Sequence, residues 1–265
     1  MDEHLLSYIL FAPIVALLIL LMIPSSAKSA IKLWANFASF GCFLVSLPLV
    51  FRFDKSIGGY QMIERADWIP SLGVKYLIGV DGISMLLVML TTAVSFLAVL
   101  SSWNAIEDKL KEYYAMFLLL ETGMLGVFLS LDLILFFLFW EVGLIPMYFL
   151  INIWGSANRQ YASFKFFIYT MAGSVGLLLA VQTIGITLGT FDMTQAFARW
   201  PSVSGTIYGI PAGTIRSIAF WAFSLAWSSS IGTCCTGIPW SIANAAATPV
   251  AWPGIIYTGS LPTEL

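Results

Sequence analysis

Residues 131–153 read LDLILFFLFWEVGLIPMYFLINI, an apolar run with Glu141 in its middle. The run is long enough to cross a bilayer, which takes about 20 predominantly apolar residues. A carboxylate near the midplane costs roughly 2.5–3.5 kcal/mol on insertion scales, and intramembrane acids face protein or polar cavities and mark ion or proton pathways. The stretch therefore predicts a membrane-spanning helix with Glu141 as its functional centre.

Pro146 follows Glu141 on the same predicted helix. Proline lacks a backbone N–H and clashes with the carbonyl four residues before it, so we expect a kink just past the carboxylate. The alternative is a glutamate that snorkels from a helix end to the interface. Because the residues on both sides of Glu141 are apolar or small, the sequence favours the functional acid.

The composition indicates an integral membrane protein, since 59% of the 265 residues are hydrophobic and only 10% are charged. The mean hydropathy is +0.90, whereas soluble domains carry about 25% charged residues. The net charge of −2 offers no basic face for nucleic acid. We therefore expect the lipid bilayer, and no nucleic acid, among the partners.

Cofactor chemistry finds no support in the sequence. The three cysteines are Cys42 and the adjacent pair Cys234 and Cys235, which form neither a disulfide framework nor a metal-ligand spacing. His4 is the only histidine, and no GxGxxG, P-loop or CxxC motif is present. We expect no cofactor and no redox site in this chain.

The apolar runs predict an all-α fold, a polytopic transmembrane helix bundle with six spans and a weaker seventh that starts near Thr214. The six spans are Leu5–Ile23, Ile31–Phe51, Gly82–Ser102, Tyr113–Leu131, Leu133–Ile153 and Ala162–Gly189. The period-two alternation of a membrane barrel is absent. The first run is interpreted as a span and not as a signal peptide, because it is long and follows acidic residues.

Two connections are long enough to form solvent-exposed segments with interfacial aromatic residues, Arg52–Gly79 and Thr190–Gly213. The short connections carry the higher density of Lys and Arg if the N-terminus lies outside, which predicts that orientation. Asp81 and Asp132 each precede a span, where capping of the helix N-terminus is a sufficient explanation.

Two further charges lie inside predicted spans. Glu121 has Gly123 and Gly126 nearby, which allow close helix approach; it contributes either a polar contact between helices or a proton pathway. Lys165 lies near the start of its span and either snorkels to the interface or pairs with Glu141 across the bundle. Burial disfavours an ionised carboxyl group, and a nearby ammonium favours it, so such a pair could switch proton affinity.

Several segments together resemble the antiporter-like membrane subunits of respiratory complex I. They are GVDGIS at 79–84, GVFLSLDLILFFLFWEVGLIPMYFLINIWG at 126–155, KFFIYTMAGSVGLLLA at 165–180 and IPAGTIRSIAFWAFSLAW at 210–227. The resemblance implies a helical, proton-translocating subunit of a bacterial inner membrane that works with the other membrane subunits of complex I. It also implies that the chain binds neither NADH nor quinone, and that Glu141 is the key acid of the proton channel. We expect Glu121 and Lys165 to be supporting members of its relay.

The resemblance also implies a lysine on the seventh span near Ser230, and this sequence has none there. We expect residues 1–227 to be the N-terminal part of such a subunit and residues 228–265 to be a divergent tail, because Gly, Pro, Ser and Thr break helical periodicity after Ser228. Two alternatives stay open. One is a subunit of a multi-component cation/proton antiporter, and the other is a membrane scaffold that moves no protons.

Overall fold

The computed structural model of the chain describes residues 4–54, 56, 58–155 and 158–235. For residues 71 and 227–235 it describes the backbone without the side chains. The helices are α1 (Leu5–Met22), α2 (Lys28–Arg52), α3 (Gly82–Ser101), α4 (Leu110–Leu129), α5 (Leu133–Trp154), α6 (Arg159–Leu188), α7 (Met193–Arg199) and α8 (Ala212–Cys235). The strands are β1 (Gln61–Ile69), β2 (Val74–Val80), β3 (Thr206–Ile207) and β4 (Ile210–Pro211).

The helical bundle agrees with the sequence prediction. Six described helices, α1 to α6, are long and apolar enough to cross a membrane, and α8 forms where the weaker seventh span was predicted. α8 continues through Ser228 to Cys235, so the described helix crosses the predicted boundary of the tail; the rest of that tail, residues 236–265, lies outside the described residues. The chain is a multi-pass integral membrane protein.

Among helices α1 to α5, α4 lies at the centre of the bundle. In its most apolar window 61% of the residues are buried, compared with 33–39% for the other five candidate spans. It packs against α1 and α3 on one side and against α5 on the other, and α5 continues to α6, which packs against α8. α4 therefore joins a bundle of α1 to α3 to a second group made of α5, α6 and α8.

Two glycines let α4 and α5 approach closely, as the sequence predicts. A Cβ atom on Gly123 would lie 2.9 Å from the backbone nitrogen and the Cα of Gly143. A Cβ atom on Gly126 would overlap the ring of Phe139. Because the neighbour of Gly123 is backbone, nothing larger than glycine fits there without moving the helices apart.

One end of the bundle, called here the N-terminal side, holds the start of α1, the β1–β2 hairpin, the turn at 130–132 and α7. The Arg52–Gly79 connection was predicted as an exposed segment, and its antiparallel hairpin was not predicted. Buried Glu64 on β1 accepts hydrogen bonds from the backbone N–H groups of Leu6 at 2.8 Å and Ser7 at 3.2 Å. The hairpin thereby caps the N-terminus of α1, where the N-cap residue His4 provides no side-chain cap.

The predicted capping roles of two aspartates are confirmed. Asp81 and Ser84 form a reciprocal capping box at the start of α3. Asp132 accepts from the N–H groups of Ile134 and Leu135 at the start of α5, and a second oxygen accepts from Lys75 N–H. Burial raises the pKa of Asp132 although these N–H groups favour its ionised form.

Asp192 caps α7 beside Asp132. The Leu133 N–H donates to the Phe191 carbonyl at 2.8 Å, which joins the two capping segments. Burial disfavours the ionised form of Asp192, but hydrogen bonds from Thr194 and Gln195 outweigh burial and lower its pKa. Arg65 of the hairpin lies 3.5 Å from its carboxylate. Hairpin, α5 and α7 are thus linked at the N-terminal side.

The other end of the bundle, called here the distal side, holds the connections at 23–27, 102–109 and 155–158. Three lysines donate to main-chain carbonyls there: Lys28 to Glu107, Lys32 to Trp103 and Lys111 to Leu21. Cations at the C-terminal ends of helices satisfy free carbonyls and interact favourably with the helix dipole. The outside location of the N-terminus stays a prediction.

Candidate functional site

Glu141 lies in the middle of α5, as the sequence predicts. Its side chain is partly buried, and its Oε1 is buried without a hydrogen-bond partner among the described residues. α5 continues through Pro146 to Trp154. Because proline has no N–H, the Val142 carbonyl beside Glu141 loses its helical donor. The kink itself stays a prediction.

Glu141 points away from α4. Phe139 and Gly143 are the α5 residues that meet Gly126 and Gly123 of α4. Positions two apart on a helix are turned by about 200°, so Glu141, midway between them, lies on the opposite face of α5. Its neighbour Trp140 packs with the cluster around Leu177 and Val181 of α6. Glu141 therefore flanks the α5–α6 interface.

The helix register places Ser174 of α6 at the depth of Glu141. The rings of Tyr148 and Phe167 meet at 5.5 Å between centroids and align the two antiparallel helices. Counting from this pair, Glu141 is level with a point close to Ser174 on α6. Ser174 is buried, and its Oγ also has no hydrogen-bond partner among the described residues. Two unpartnered polar groups thus share this level of the bundle.

Lys165 does not lie beside Glu141. In the same register it is displaced from the level of Glu141 by nine residues, about 14 Å along the axis at a rise of about 1.5 Å per residue. Its ammonium group lies over the ring of Tyr161, 5.5 Å from the centroid, and no ion pair joins it to either glutamate in the described part of the chain. The proposed pairing with Glu141 is therefore not formed in this structure.

Glu121 is fully buried in α4, and both carboxyl oxygens lack a hydrogen-bond partner among the described side chains and backbone. It lies two positions before Gly123, which faces α5, so it projects from the other face of α4. Consistent with this direction, it is close enough to Cys42 of α2 to interact with it electrostatically. Among the described residues, Glu121 makes no hydrogen bond to another helix.

The two glutamates lie about one helical turn apart in depth and on opposite faces of the α4–α5 pair. Each lies two positions before the glycine at which the antiparallel helices meet, Gly123 or Gly143, so Glu121 and Glu141 differ by about 6 Å along the axis, at about 1.5 Å per residue. Glu121 points toward α2 and α3, whereas Glu141 lies at the α5–α6 side. A proton that moves between them has to pass the close α4–α5 interface.

Sequence reasoning missed the unpartnered Ser174 and, on the other side of α4, the unpartnered Ser39. A serine inside an apolar run is too common to indicate a site without knowledge of which face it occupies. The backbone of Ser230, where the lysine was expected, lies within α8; its side chain is outside what the structure describes.

A scan against protein families supports the resemblance. Residues 130–229 match the family described as NADH:quinone oxidoreductase/Mrp antiporter, transmembrane. The matched region contains Glu141 and Lys165, all of α5, α6 and α7 and most of α8, whereas Glu121 lies before it.

Two curated relatives cover much of the chain. NADH-quinone oxidoreductase subunit M of Rhodobacter capsulatus is 42% identical over 236 residues, which is 83% of this chain and 44% of the relative. NADH-ubiquinone oxidoreductase chain 4 of Arabidopsis thaliana is 40% identical over 189 residues, which is 71% of this chain and 38% of the relative. The chain thus spans less than half the length of these relatives.

A solved structure shows the same fold. A chain of respiratory complex I from Thermus thermophilus with bound NADH aligns with a TM-score of 0.72 and 23% identity, covering 94% of this chain and 50% of that chain. The apolar helices, together with bacterial relatives such as the Rhodobacter protein, indicate a multi-pass protein of the bacterial inner membrane.

Proposed function

Because the chain belongs to the family of antiporter-like membrane subunits shared by NADH:quinone oxidoreductases and Mrp antiporters, we propose that it is a membrane subunit of an NADH–quinone oxidoreductase. In that assembly it contributes to proton translocation coupled to quinone reduction. Its partners are the other membrane subunits and the surrounding lipid. The redox chemistry belongs to other chains, and this chain needs no cofactor of its own.

Glu141 is the central protonatable group of the proposed function. The observation that carries this assignment is a carboxyl group in mid-span with a buried oxygen that no described residue neutralises. Such a group is costly in lipid, and for this reason intramembrane acids are rare and mark ion pathways or proton relays. The Val142 carbonyl beside it and Ser174 at its level supply polar atoms at which a proton can be passed on.

Glu121 and Lys165 are the supporting members of the relay. Since Lys165 lies about 14 Å from Glu141 along the axis, its charge acts on Glu141 by at most about 1.2 kcal/mol at an effective dielectric constant near 20. This is a modest, long-range influence compared with that of a direct ion pair. Lys165 therefore biases the proton affinity of Glu141 without binding it.

The test of the assignment is Glu141→Gln in the assembled complex, with NADH-driven quinone reduction as the readout. Glutamine keeps the size of the side chain but cannot exchange a proton, so coupled activity is expected to fall to near background. Glu107→Gln, an exposed acid on the distal side, is the matched control and is expected to be unchanged. Normal activity of Glu141→Gln in a fully assembled complex would overturn the assignment.

The multi-component cation/proton antiporter is the second candidate, because the family description covers both classes of protein. The discriminating observation is what copurifies with the chain in mild detergent. Recovery of subunits with NADH-dependent quinone reductase activity supports the oxidoreductase. Recovery of an assembly that exchanges cations for protons without redox activity would support the antiporter instead.

The third candidate is a scaffold that moves no protons, and it rests on the absence of the lysine that the resemblance implies near Ser230. Ser230→Lys, placed in α8 where the family resemblance implies a lysine, separates the two readings. If the chain translocates protons with Glu141 and Lys165 alone, the unmodified complex pumps and the variant changes its rate. If neither pumps although both assemble, the scaffold is correct.

A further inference from the structure

The buried face of α2 carries a row of polar side chains. Asn36, Ser39, Cys42 and Ser46 recur every three or four residues and therefore lie along one face of the helix. Ser39 and Ser46 are fully buried, and Cys42 is 3% exposed. Small polar residues at such spacing are also common at packed helix interfaces in membranes, so the row alone indicates no site.

α3 continues this polar surface. The hydroxyl groups of Ser46 and Thr92 lie 2.9 Å apart, which fixes the register of the antiparallel α2 and α3. One turn further toward the distal side, this register brings buried Ser95 to the depth of Cys42. The two helices therefore line a common polar seam, defined here as Asn36, Ser39, Cys42, Ser46, Thr92 and Ser95.

Glu121 supplies the charged group of the seam. A hydrogen bond of 3.3 Å from Ser102 to Tyr114 aligns α3 with α4, and in that register Glu121 is level with Ser95. Its electrostatic interaction with Cys42 places it on the same side. Glu121 is fully buried with both oxygens unpartnered, and the Ser39 hydroxyl is likewise buried and unpartnered among the described residues. An acid that served helix packing alone would be hydrogen-bonded.

The two ends of the seam differ. Toward the N-terminal side it meets a cluster of fully buried apolar side chains that includes Leu49, Val88 and Leu125. Toward the distal side the row on α2 continues with Asn36, whose Oδ1 is buried and unpartnered in the described structure, and then with Lys32. Among the described residues, the polar groups therefore lead from Glu121 to the distal side, whereas toward the N-terminal side they end at Ser46 and Thr92.

We propose that Glu121, a supporting member of the relay, is a second proton-binding group of the bundle, that it exchanges its proton with water at the distal side through the α2–α3 seam, and that this exchange does not depend on Glu141. A proton taken from water forms the O–H bond of the Glu121 carboxylic acid, and its release returns the proton by the same hydroxyl groups. The inference deepens the proposed function. It rests on that function because proton translocation is the reason why Glu121 would bind and release a proton.

The test follows the carboxylic C=O band of Glu121 by infrared spectroscopy of the complex in membranes, assigned by its loss in Glu121→Gln. On transfer to D₂O the band shifts as the proton exchanges. Ser39→Leu fills the seam with an apolar side chain and is expected to slow the shift about tenfold or more, the effect of about 1.4 kcal/mol on a barrier. Thr183→Leu on α6, where the hydroxyl group donates to the Leu179 carbonyl of its own helix, is the matched control and leaves the rate unchanged.

If the Ser39→Leu chain does not assemble into the complex, Asn36→Leu is used in its place and is expected to slow the shift in the same way. Absence of an infrared band from Glu121 would overturn the inference. So would slower exchange in Glu141→Gln together with unchanged exchange in Ser39→Leu and Asn36→Leu. The measurement needs no turnover. The exchange rate of Glu121 can therefore contradict the seam while the proton-pumping assay still supports Glu141, and the reverse.

Cys42 reports the side from which the seam opens, in a variant with Cys234→Ser and Cys235→Ser. A small cationic thiol reagent that does not cross the membrane is added to vesicles of either orientation. Ser26→Cys and Ser204→Cys, in the connections at the two ends, identify the sides. Faster labelling of Cys42 from the side of Ser26 is expected, and faster labelling from the side of Ser204 would contradict the proposed opening.

Discussion

Replacing Gly123 by alanine places a methyl group 2.9 Å from the backbone nitrogen and the Cα of Gly143. Ordinary contacts between carbon atoms lie near 3.5–4.0 Å, so α4 and α5 have to separate by somewhat less than about 1 Å. Backbone atoms cannot rotate away as a side chain does. Overpacking of this kind costs about 1–3 kcal/mol.

Gly143→Ala is the matched control, because a Cβ atom there has no heavy atom within 4 Å. Alanine is favoured over glycine inside a helix by up to about 1 kcal/mol, so this variant is expected to be neutral or more stable. The same chemical change at two facing positions thus has opposite signs. A difference of about 2 kcal/mol corresponds to about 4–8 °C in Tm for a chain of this size.

The assay is thermal unfolding of the complex in mild detergent, followed by the far-ultraviolet circular dichroism signal and by retention of this chain on size exclusion. Gly123→Ala is expected to unfold first and Gly143→Ala at or above the temperature of the unmodified protein. Equal Tm values for the two variants, or a lower value for Gly143→Ala, would refute the close approach of α4 and α5.

Three further predictions concern the ends of the helices and the kink. Glu64→Ala leaves backbone donors at the start of α1 unpaired and is expected to cost about 1–3 kcal/mol of stability there. The measurement is amide hydrogen exchange of the first turn of α1, which is expected to be faster in Glu64→Ala and unchanged in Asp67→Ala on the same strand. Equal exchange in the two variants would contradict capping by the hairpin. Because hydrogen bonds lower the pKa of Asp192 despite burial, its contribution to stability is complete above its unfolded pKa of about 3.9 and is lost as the pH falls through the folded value. In Asp192→Asn, the stability of α7, measured by amide hydrogen exchange at a series of pH values, should therefore fall less toward acid pH than in the unmodified protein. The same pH dependence in both proteins would refute this. Pro146→Ala restores a donor for the Val142 carbonyl and is expected to slow proton translocation without loss of stability; an unchanged rate would show that the free carbonyl is not used.

The spans could be predicted from the sequence because each is a long apolar run, and lipid leaves helices as the only open element that satisfies its backbone. The caps at Asp81 and Asp132 were predictable for a similarly local reason, since an N-cap acid bonds residues two or three positions later. The β1–β2 hairpin was not, because its buried acid, Glu64, is stabilised by α1, far away in the chain.

The charges inside the spans were found from the sequence, but their directions were not. Glu121, Glu141 and Lys165 are visible as breaks in apolar runs, whereas the face that each occupies depends on the register between helices. The contact of Gly123 with Gly143 turns the two glutamates to opposite sides, and the α5–α6 register separates Lys165 from Glu141. Proton transfer to and from these groups remains a proposal.

The most direct test of the central claim is proton movement into sealed membrane vesicles during NADH oxidation, followed with a pH-sensitive dye at equal amounts of assembled complex. Glu141→Gln is expected to abolish acidification, and Glu141→Asp, which keeps an exchangeable carboxyl group, to retain part of it. Acidification by Glu141→Gln at the level of the unmodified complex would contradict the claim that Glu141 carries the proton.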